Sequence, residues 1–193
     1  MARKGEGGSA VTSGSGTDDG ATVLRPIEPG DARAFLALFE ALDAESEFML
    51  YEPGERVTTL AELRARIVQG RRSGRETLIG AVRLDARRRT TLDGFVGAMS
   101  GSGYRNAHAL TLVLGVRRAA SGRGLGRRLL AAIEADARDR GIRRLGLGVM
   151  ANNARALRLY ERAGFVREGR RRDAVRLRSG YVDEWFMGKL LGP

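Results

Sequence analysis

Residues 112–126 read Leu-Val-Leu-Gly-Val-Arg-Arg-Ala-Ala-Ser-Gly-Arg-Gly-Leu-Gly, and Arg127-Arg128-Leu129-Leu130 follow. The run opens as an apolar strand, crosses a short polar turn and ends on Gly122, Gly124 and Gly126. Leu125, Leu129, Leu130, Ile133 and Ala137 then recur at the spacing of one helix face. A helix is therefore expected over 123–140, with Gly141 placed to stop it. Glycines let backbone amides approach a ligand with no Cβ in the way. The first-turn amides of a helix have no intrahelical acceptor, and the helix dipole adds positive potential. A strand-to-helix turn of this kind suits a phosphate or pyrophosphate. A tight connection with no ligand is the other reading of the same glycines. A Walker loop is excluded, because no Gly-Lys-Ser/Thr closes the turn. A dinucleotide fingerprint fails too: its last glycine falls on Arg127 or Leu129.

Outward from this stretch the chain alternates strands and helices. Upstream, Thr22–Ile27 reads as a strand that Pro26 ends or places at an edge. Asp31 is placed to cap a helix over 32–44, and Thr58 or Thr59 to cap another over 60–72 that Gly74 ends. Residues 45–57 between them read as irregular. Strand-like runs at 76–85, 93–100 and 108–116 form a meander, with the arginines of 87–89 at a hairpin tip. Downstream, Leu145, Leu147 and Val149 alternate, so 143–150 is a strand. Asn152 or Asn153 caps a helix that reaches Ala163. Phe165–Gly169 is short and extended, and Val182–Leu190 returns antiparallel to it across an arginine-rich connection. Residues 1–21 are rich in glycine and serine and lack large apolar side chains, so a disordered tail is expected before an ordered domain over 22–191.

Composition narrows the chemistry. A chain of 193 residues has room for one ordinary domain. There is no cysteine, which excludes disulfides, a thiol nucleophile and thiolate metal sites. His108 is the one histidine, so no multi-histidine metal centre is expected. No apolar run is long enough for a membrane-spanning helix, and no secretory leader is seen, which points to the cytoplasm. The net charge of +11 raises the question of a nucleic-acid partner. Of 34 basic residues only Lys4 and Lys189 are lysines, a bias typical of a GC-rich genome. No aromatic-interleaved basic motif accompanies the charge, which weighs against that partner.

One strand after the glycine turn comes a second block, Asn153-Ala-Arg-Ala156-Leu-Arg-Leu-Tyr160-Glu-Arg-Ala-Gly164-Phe165. The two blocks, in this order and at this spacing, resemble the GNAT superfamily of acetyl-CoA-dependent N-acetyltransferases. Ser121-Gly-Arg-Gly124-Leu-Gly126 is similar to the family's R/Q-x-x-G-x-G/A, and the second block to its N-x-x-A-x-x-L-Y-E-x-x-G-F. The resemblance spans about 22–191 and is weakest before residue 75. It implies an α/β acyl-CoA N-acyltransferase fold: a mixed sheet of six or seven strands flanked by about four helices.

The resemblance also implies roles. The backbone of Leu114 and Val116 would pair with the pantetheine arm of acetyl-CoA. The amides of Gly122, Arg123, Gly124, Leu125, Gly126 and Arg127 would hold its pyrophosphate. Asn153 would contact the pantetheine or cap its helix, and Tyr160 would face the thioester sulfur. Gly115 would suit a bulge that opens the cleft. An acceptor amine would attack the thioester directly. A backbone N–H near Val116 would stabilise the oxyanion, and Tyr160 would supply the proton to the leaving thiolate. By position alone Tyr160 is equally a core tyrosine, and Arg123, Arg127 and Arg128 are equally a solvated face.

Three departures are visible. Ser121 replaces the usual Arg or Gln, Arg118 stands where proline is frequent, and no glutamate lies on the 108–116 strand. The general base is therefore open among Glu47, Glu52, Glu55, His108 and a water chain. A small-molecule or amino-acid acceptor is favoured over a protein N-terminus, on the likeness of Gly180–Met187 to the small-substrate branch. A non-catalytic acyl-CoA-binding or sensor domain of the same fold is the alternative. No metal is expected. Homodimers are frequent among relatives, though no interface shows in the sequence.

Overall fold

The computed structural model describes residues 22–85, 87 and 89–192. The expected tail at 1–21 and one arginine of the 87–89 tip lie outside them. The elements run β1 (Val23–Pro26), α1 (Ala32–Glu45), α2 (Leu60–Ser73), β2 (Glu76–Leu84), β3 (Thr90–Ser100), β4 (Ala109–Val116), α3 (Leu125–Asp139), β5 (Arg144–Met150), α4 (Ala154–Arg162), β6 (Val166–Leu177) and β7 (Gly180–Leu190). The strands form one sheet in the order β1-β2-β3-β4-β5-β7-β6. Among the described residues this is a seven-stranded mixed sheet with four α-helices, as expected.

The sheet divides the core. On one face Leu129 and Ile133 of α3 and Leu157 and Tyr160 of α4 pack on Val96, Leu112, Leu145 and Leu147. On the other, Phe35, Leu38 and Leu42 of α1 and Leu63 and Ile67 of α2 pack on Val82, Leu92 and Phe95. Each fully buried leucine or phenylalanine contributes about 1.5–3 kcal/mol by leaving water. Neighbouring strands are antiparallel everywhere except β4 and β5, which are parallel and pair only over Ala109–Thr111 with Arg144–Gly146. Past Thr111 the two strands part while β4 stays paired to β3 as far as Val116.

Local signals hold at most element ends. Thr59 caps α2, accepting from the Glu62 N–H, while the Glu62 carboxylate accepts from the Thr59 N–H at 2.8 Å. Asn153 caps α4 by accepting from the Ala156 N–H at 3.0 Å. Asp31 differs from its expected role. Its own backbone is helical, and its carboxylate instead accepts from the Glu28 N–H and from Arg25 at 2.7 and 2.9 Å. The α3 helix begins at Leu125 because Gly124, at φ 77°, is left-handed.

The largest departure is at the C-terminus. The arginine-rich stretch expected as a connection is strand: β6 runs to Leu177, and only Arg178 and Ser179 separate it from β7. β6 is an edge strand with little apolar alternation, so its pattern is silent in the sequence. Backbone pairing to β7 holds it, through two register shifts. Arg167 and Arg170 stack on Trp185 at 5.0 and 5.5 Å, and Arg170 pairs with Asp183. An edge lined with charge also resists pairing with another chain.

Candidate active site

The parting of β4 from β5 opens one edge of β4. Arg117 donates its N–H to Asp93 O on the β3 side, and His108 O accepts the Arg144 N–H on the β5 side. Strand alternation then turns the N–H and C=O of Leu112, Leu114 and Val116 toward β5, where the partner strand has gone. Leu114 and Val116 thus lie on an edge of β4 that no strand pairs among the described residues. No register shift occurs in β4, so Gly115 is not a bulge. Its reason is close packing: a Cβ there would meet Leu42 Cδ1 at 2.5 Å and Phe95 Cε1 at 3.0 Å.

The edge runs directly into the glycine turn. Gly122 and Gly124 have φ of 82° and 77°, and a Cβ at either would touch nothing, so it is the left-handed backbone that requires glycine. The first helical bond runs from the Arg128 N–H to Gly124 O. The consecutive N–H groups from Gly122 to Arg127 have no acceptor among the described residues. Glu45, at the end of α1, braces the approach to this turn. Its carboxylate accepts the Arg118 N–H at 2.7 Å and the Arg117 guanidinium at 2.9 Å. Chiefly the Arg118 N–H, then Arg117, hold its pKa below the usual carboxylate value against the opposing effect of burial. Ser121 turns its hydroxyl inward, donating to Arg117 O at 3.0 Å.

Edge and turn line one cleft of about 1100 Å³ that also passes through the β4–β5 gap onto the α1 face of the sheet. Leu114, Val116, Gly122, Gly124, Leu125, Gly126, Arg127, Asn153 and Tyr160 all line it. The exposed Arg123 side chain does not. Tyr160 is buried against Phe165, ring centroids 5.8 Å apart. Its hydroxyl has no hydrogen-bond partner among the described residues, and burial raises its pKa to about 12. The phenol therefore stays protonated at neutral pH.

Several base candidates fall outside the cleft. Glu52 pairs with Arg178 at 2.9 Å, Glu55 accepts the Glu52 N–H at 2.9 Å, and Glu47 is exposed. None of the three lines the cleft. His108 precedes β4 at the opposite end from the glycine turn, about 26 Å along the strand from Val116. The carboxylates that do line the cleft are Glu45, Glu76 and Glu184. Sequence reasoning also missed Arg155, Arg158 and Arg162, whose spacing by three and four puts them on one face of α4. They line the cleft with Arg127, and none of the four has a partner among the described residues. No cluster of three or more His, Cys, Asp or Glu able to hold a metal ion occurs among the described residues. No helix among them is long and apolar enough to cross a membrane.

The acetyltransferase (GNAT) family matches residues 35–165, which takes in both sequence blocks and the split between β4 and β5. The chain belongs to the GNAT acetyltransferase family. Solved structures agree in fold. The acetyltransferase of the GNAT family from Streptococcus pneumoniae is 26% identical, with 88% of this chain and 99% of that one covered at a TM-score of 0.80. The ribosomal-protein-alanine N-acetyltransferase from Brucella melitensis is 23% identical, with 88% and 99% covered and a TM-score of 0.75. The Salmonella typhimurium protein yncA, solved with its cofactor acetyl-CoA, is 18% identical, with 89% and 95% covered and a TM-score of 0.76. No curated protein matches the sequence. For a GNAT protein, the open β4 edge and the open turn are the two features that a long, pyrophosphate-bearing acyl donor needs.

Proposed function

We propose that the protein transfers the acetyl group of acetyl-CoA to a primary amine by direct attack. The observation that carries this reading is the unpaired edge of β4 leading into the unpaired amides of Gly122–Arg127, with Tyr160 in the same cleft. Leu114 and Val116 bind the amide-bearing arm of the donor as a further strand. The amides of the turn and the dipole of α3 hold its pyrophosphate, and Arg127, Arg155, Arg158 and Arg162 add positive potential. The acceptor enters from the α1 face as an ammonium and gives one proton to water. Its lone pair then forms the C–N bond at the thioester carbon, and the C–S bond breaks. The second amine proton leaves to solvent. The Val116 N–H, facing the gap, steadies the carbonyl oxygen as charge develops. Tyr160 donates its proton to the departing thiolate and regains one from solvent. Neither a covalent enzyme intermediate nor a cysteine is required. Most of the acceleration comes from holding two substrates in line.

A small acceptor is favoured over a protein N-terminus. Phe48, Met49, Tyr51 and Thr58 of the α1–α2 connection line the acceptor side and confine it. Ser121 and the absence of a glutamate on β4 favour a second reading, an acyl-CoA sensor without turnover. The test is release of free thiol from acetyl-CoA in the presence of amines, with Tyr160→Phe alongside. An enzyme loses turnover in that variant and keeps donor binding. A sensor shows no amine-dependent thiol release in either form.

A further inference from the structure

The half of the cleft on the α1 face of the sheet carries an uneven distribution of charge. Glu184 of β7 lies on the α1 face of the sheet, because Leu145, Leu147 and Val149 of the adjoining β5 point to the other face and Glu184 pairs in register with Met150. Its carboxylate rests over Gly148, where a Cβ would come within 2.3 Å of Oε1. This places it across the β4–β5 gap from Val113. Of the cleft's three carboxylates, Glu45 is taken by Arg117 and Arg118, and Glu76 by Arg66. Glu184 alone accepts no hydrogen bond from the described residues; Arg171 approaches it at 3.4 Å.

Opposite Glu184 the floor is apolar, formed by Phe39, Phe95, Leu78, Met99 and Val113, with Tyr51 at the rim. Phe39 and Phe95 meet edge to face at 5.1 Å. The cations on this side are already engaged. Arg56 is bidentate to the buried Asp43 at 2.6 and 2.9 Å and stacks on Phe39 and Tyr51. Arg66 holds Glu76, and the Arg118 guanidinium donates to Glu45 O at 2.6 Å. The cleft's partnerless arginines lie at the opposite end, on α3 and α4. A carboxylate on the acceptor would have to break an ion pair to be met, and a polycation would find one carboxylate, held only by the 3.4 Å approach of the exposed Arg171.

We propose that the acceptor is a monocationic amine on an apolar, carboxylate-free body, its ammonium held by Glu184 and its body on the Phe39–Phe95–Val113 floor. This rests on the acetyl-transfer reading above. The experiment measures KM and kcat of the full chain, by free-thiol release, for 2-phenylethylamine, phenylalanine, spermidine and an alanine-terminated peptide. Glu184→Gln and Gly148→Ala are measured beside it, the second because its methyl displaces the Glu184 carboxylate while leaving the charge. The expected result is the lowest KM for 2-phenylethylamine, raised about tenfold or more in both variants, as loss of a charge-assisted hydrogen bond requires. The rise of thermal midpoint with acetyl-CoA should be unchanged in Glu184→Gln, which shows that the variant is folded. Preference for phenylalanine, spermidine or the peptide, or an unaltered amine KM in Glu184→Gln, overturns this assignment and leaves acetyl transfer standing. Absence of turnover with all four overturns the transfer reading itself.

Discussion

In the proposed reaction, Tyr160 brings one hydroxyl to bear on the leaving thiolate. Its hydroxyl is held in a cleft, without a partner among the described residues, at a pKa raised by burial to about 12. Removing the hydroxyl in Tyr160→Phe should lower kcat about a hundredfold, the usual contribution of a positioned acid, while the thermal shift with acetyl-CoA persists. The same residue carries a pH signature. Its folded pKa lies above the unfolded value of 10, so its contribution to stability is intact below pH 10 and is lost as pH rises toward 12. Alkaline melting of the wild type should therefore steepen above pH 10, and Tyr160→Phe should weaken that dependence. Gly115 makes a separate test at this scale. Gly115→Ala drives a methyl into Leu42 and Phe95 and should cost about 1–3 kcal/mol in denaturant unfolding.

At the scale of elements, α1 and the turn after β4 are joined by Glu45. Its carboxylate meets the Arg118 N–H and the Arg117 guanidinium just before the glycine turn. Glu45→Gln keeps the shape and removes the charge. Acetyl-CoA affinity, read by titration calorimetry, should fall about threefold to tenfold, in line with loss of one charge-assisted contact. The sign with pH follows from its depressed pKa. The support is complete above the ordinary value of 4.5 and is lost as pH falls through the lower folded value. Wild-type affinity should drop below pH 4.5 more steeply than that of Glu45→Gln. The elements also show why some features were legible and others were not. The α3 stripe, the Thr59 and Asn153 caps and the β4 run are local patterns, set by neighbours three or four residues away. β6 carries no such pattern, since an edge strand of arginines is defined by the strand it pairs with.

For the whole molecule, binding of the donor is linkage to folding. Acetyl-CoA at 100 times its dissociation constant should add about 2.7 kcal/mol, a rise in thermal midpoint of about 5–10 °C for a chain of this size. A shift with both acetyl-CoA and CoA is expected, because in the proposed function the turn and the β4 edge meet the parts common to the two. No shift at millimolar ligand would remove the pyrophosphate site. Raising the salt should weaken the interaction, since in the proposed function Arg127, Arg155, Arg158 and Arg162 contribute through exposed charge.

The sequence by itself determined the family, the glycine turn from β4 into α3, and the caps of α2 and α4. These depend on residue type at fixed short spacing, and backbone conformation follows from it directly. Only the tertiary structure decided where β4 leaves β5, why Gly115 is glycine, and which carboxylates line the cleft. Glu47, Glu52, Glu55 and His108 were chosen from their chemistry, yet none lines the cleft, and Glu184, far along the chain, does. A base or an ammonium site is a matter of convergence between distant elements and of which charges are already paired. Neither is encoded in local periodicity; the position of Glu184 is set when β7 pairs with β5 and lays it over the small surface of Gly148.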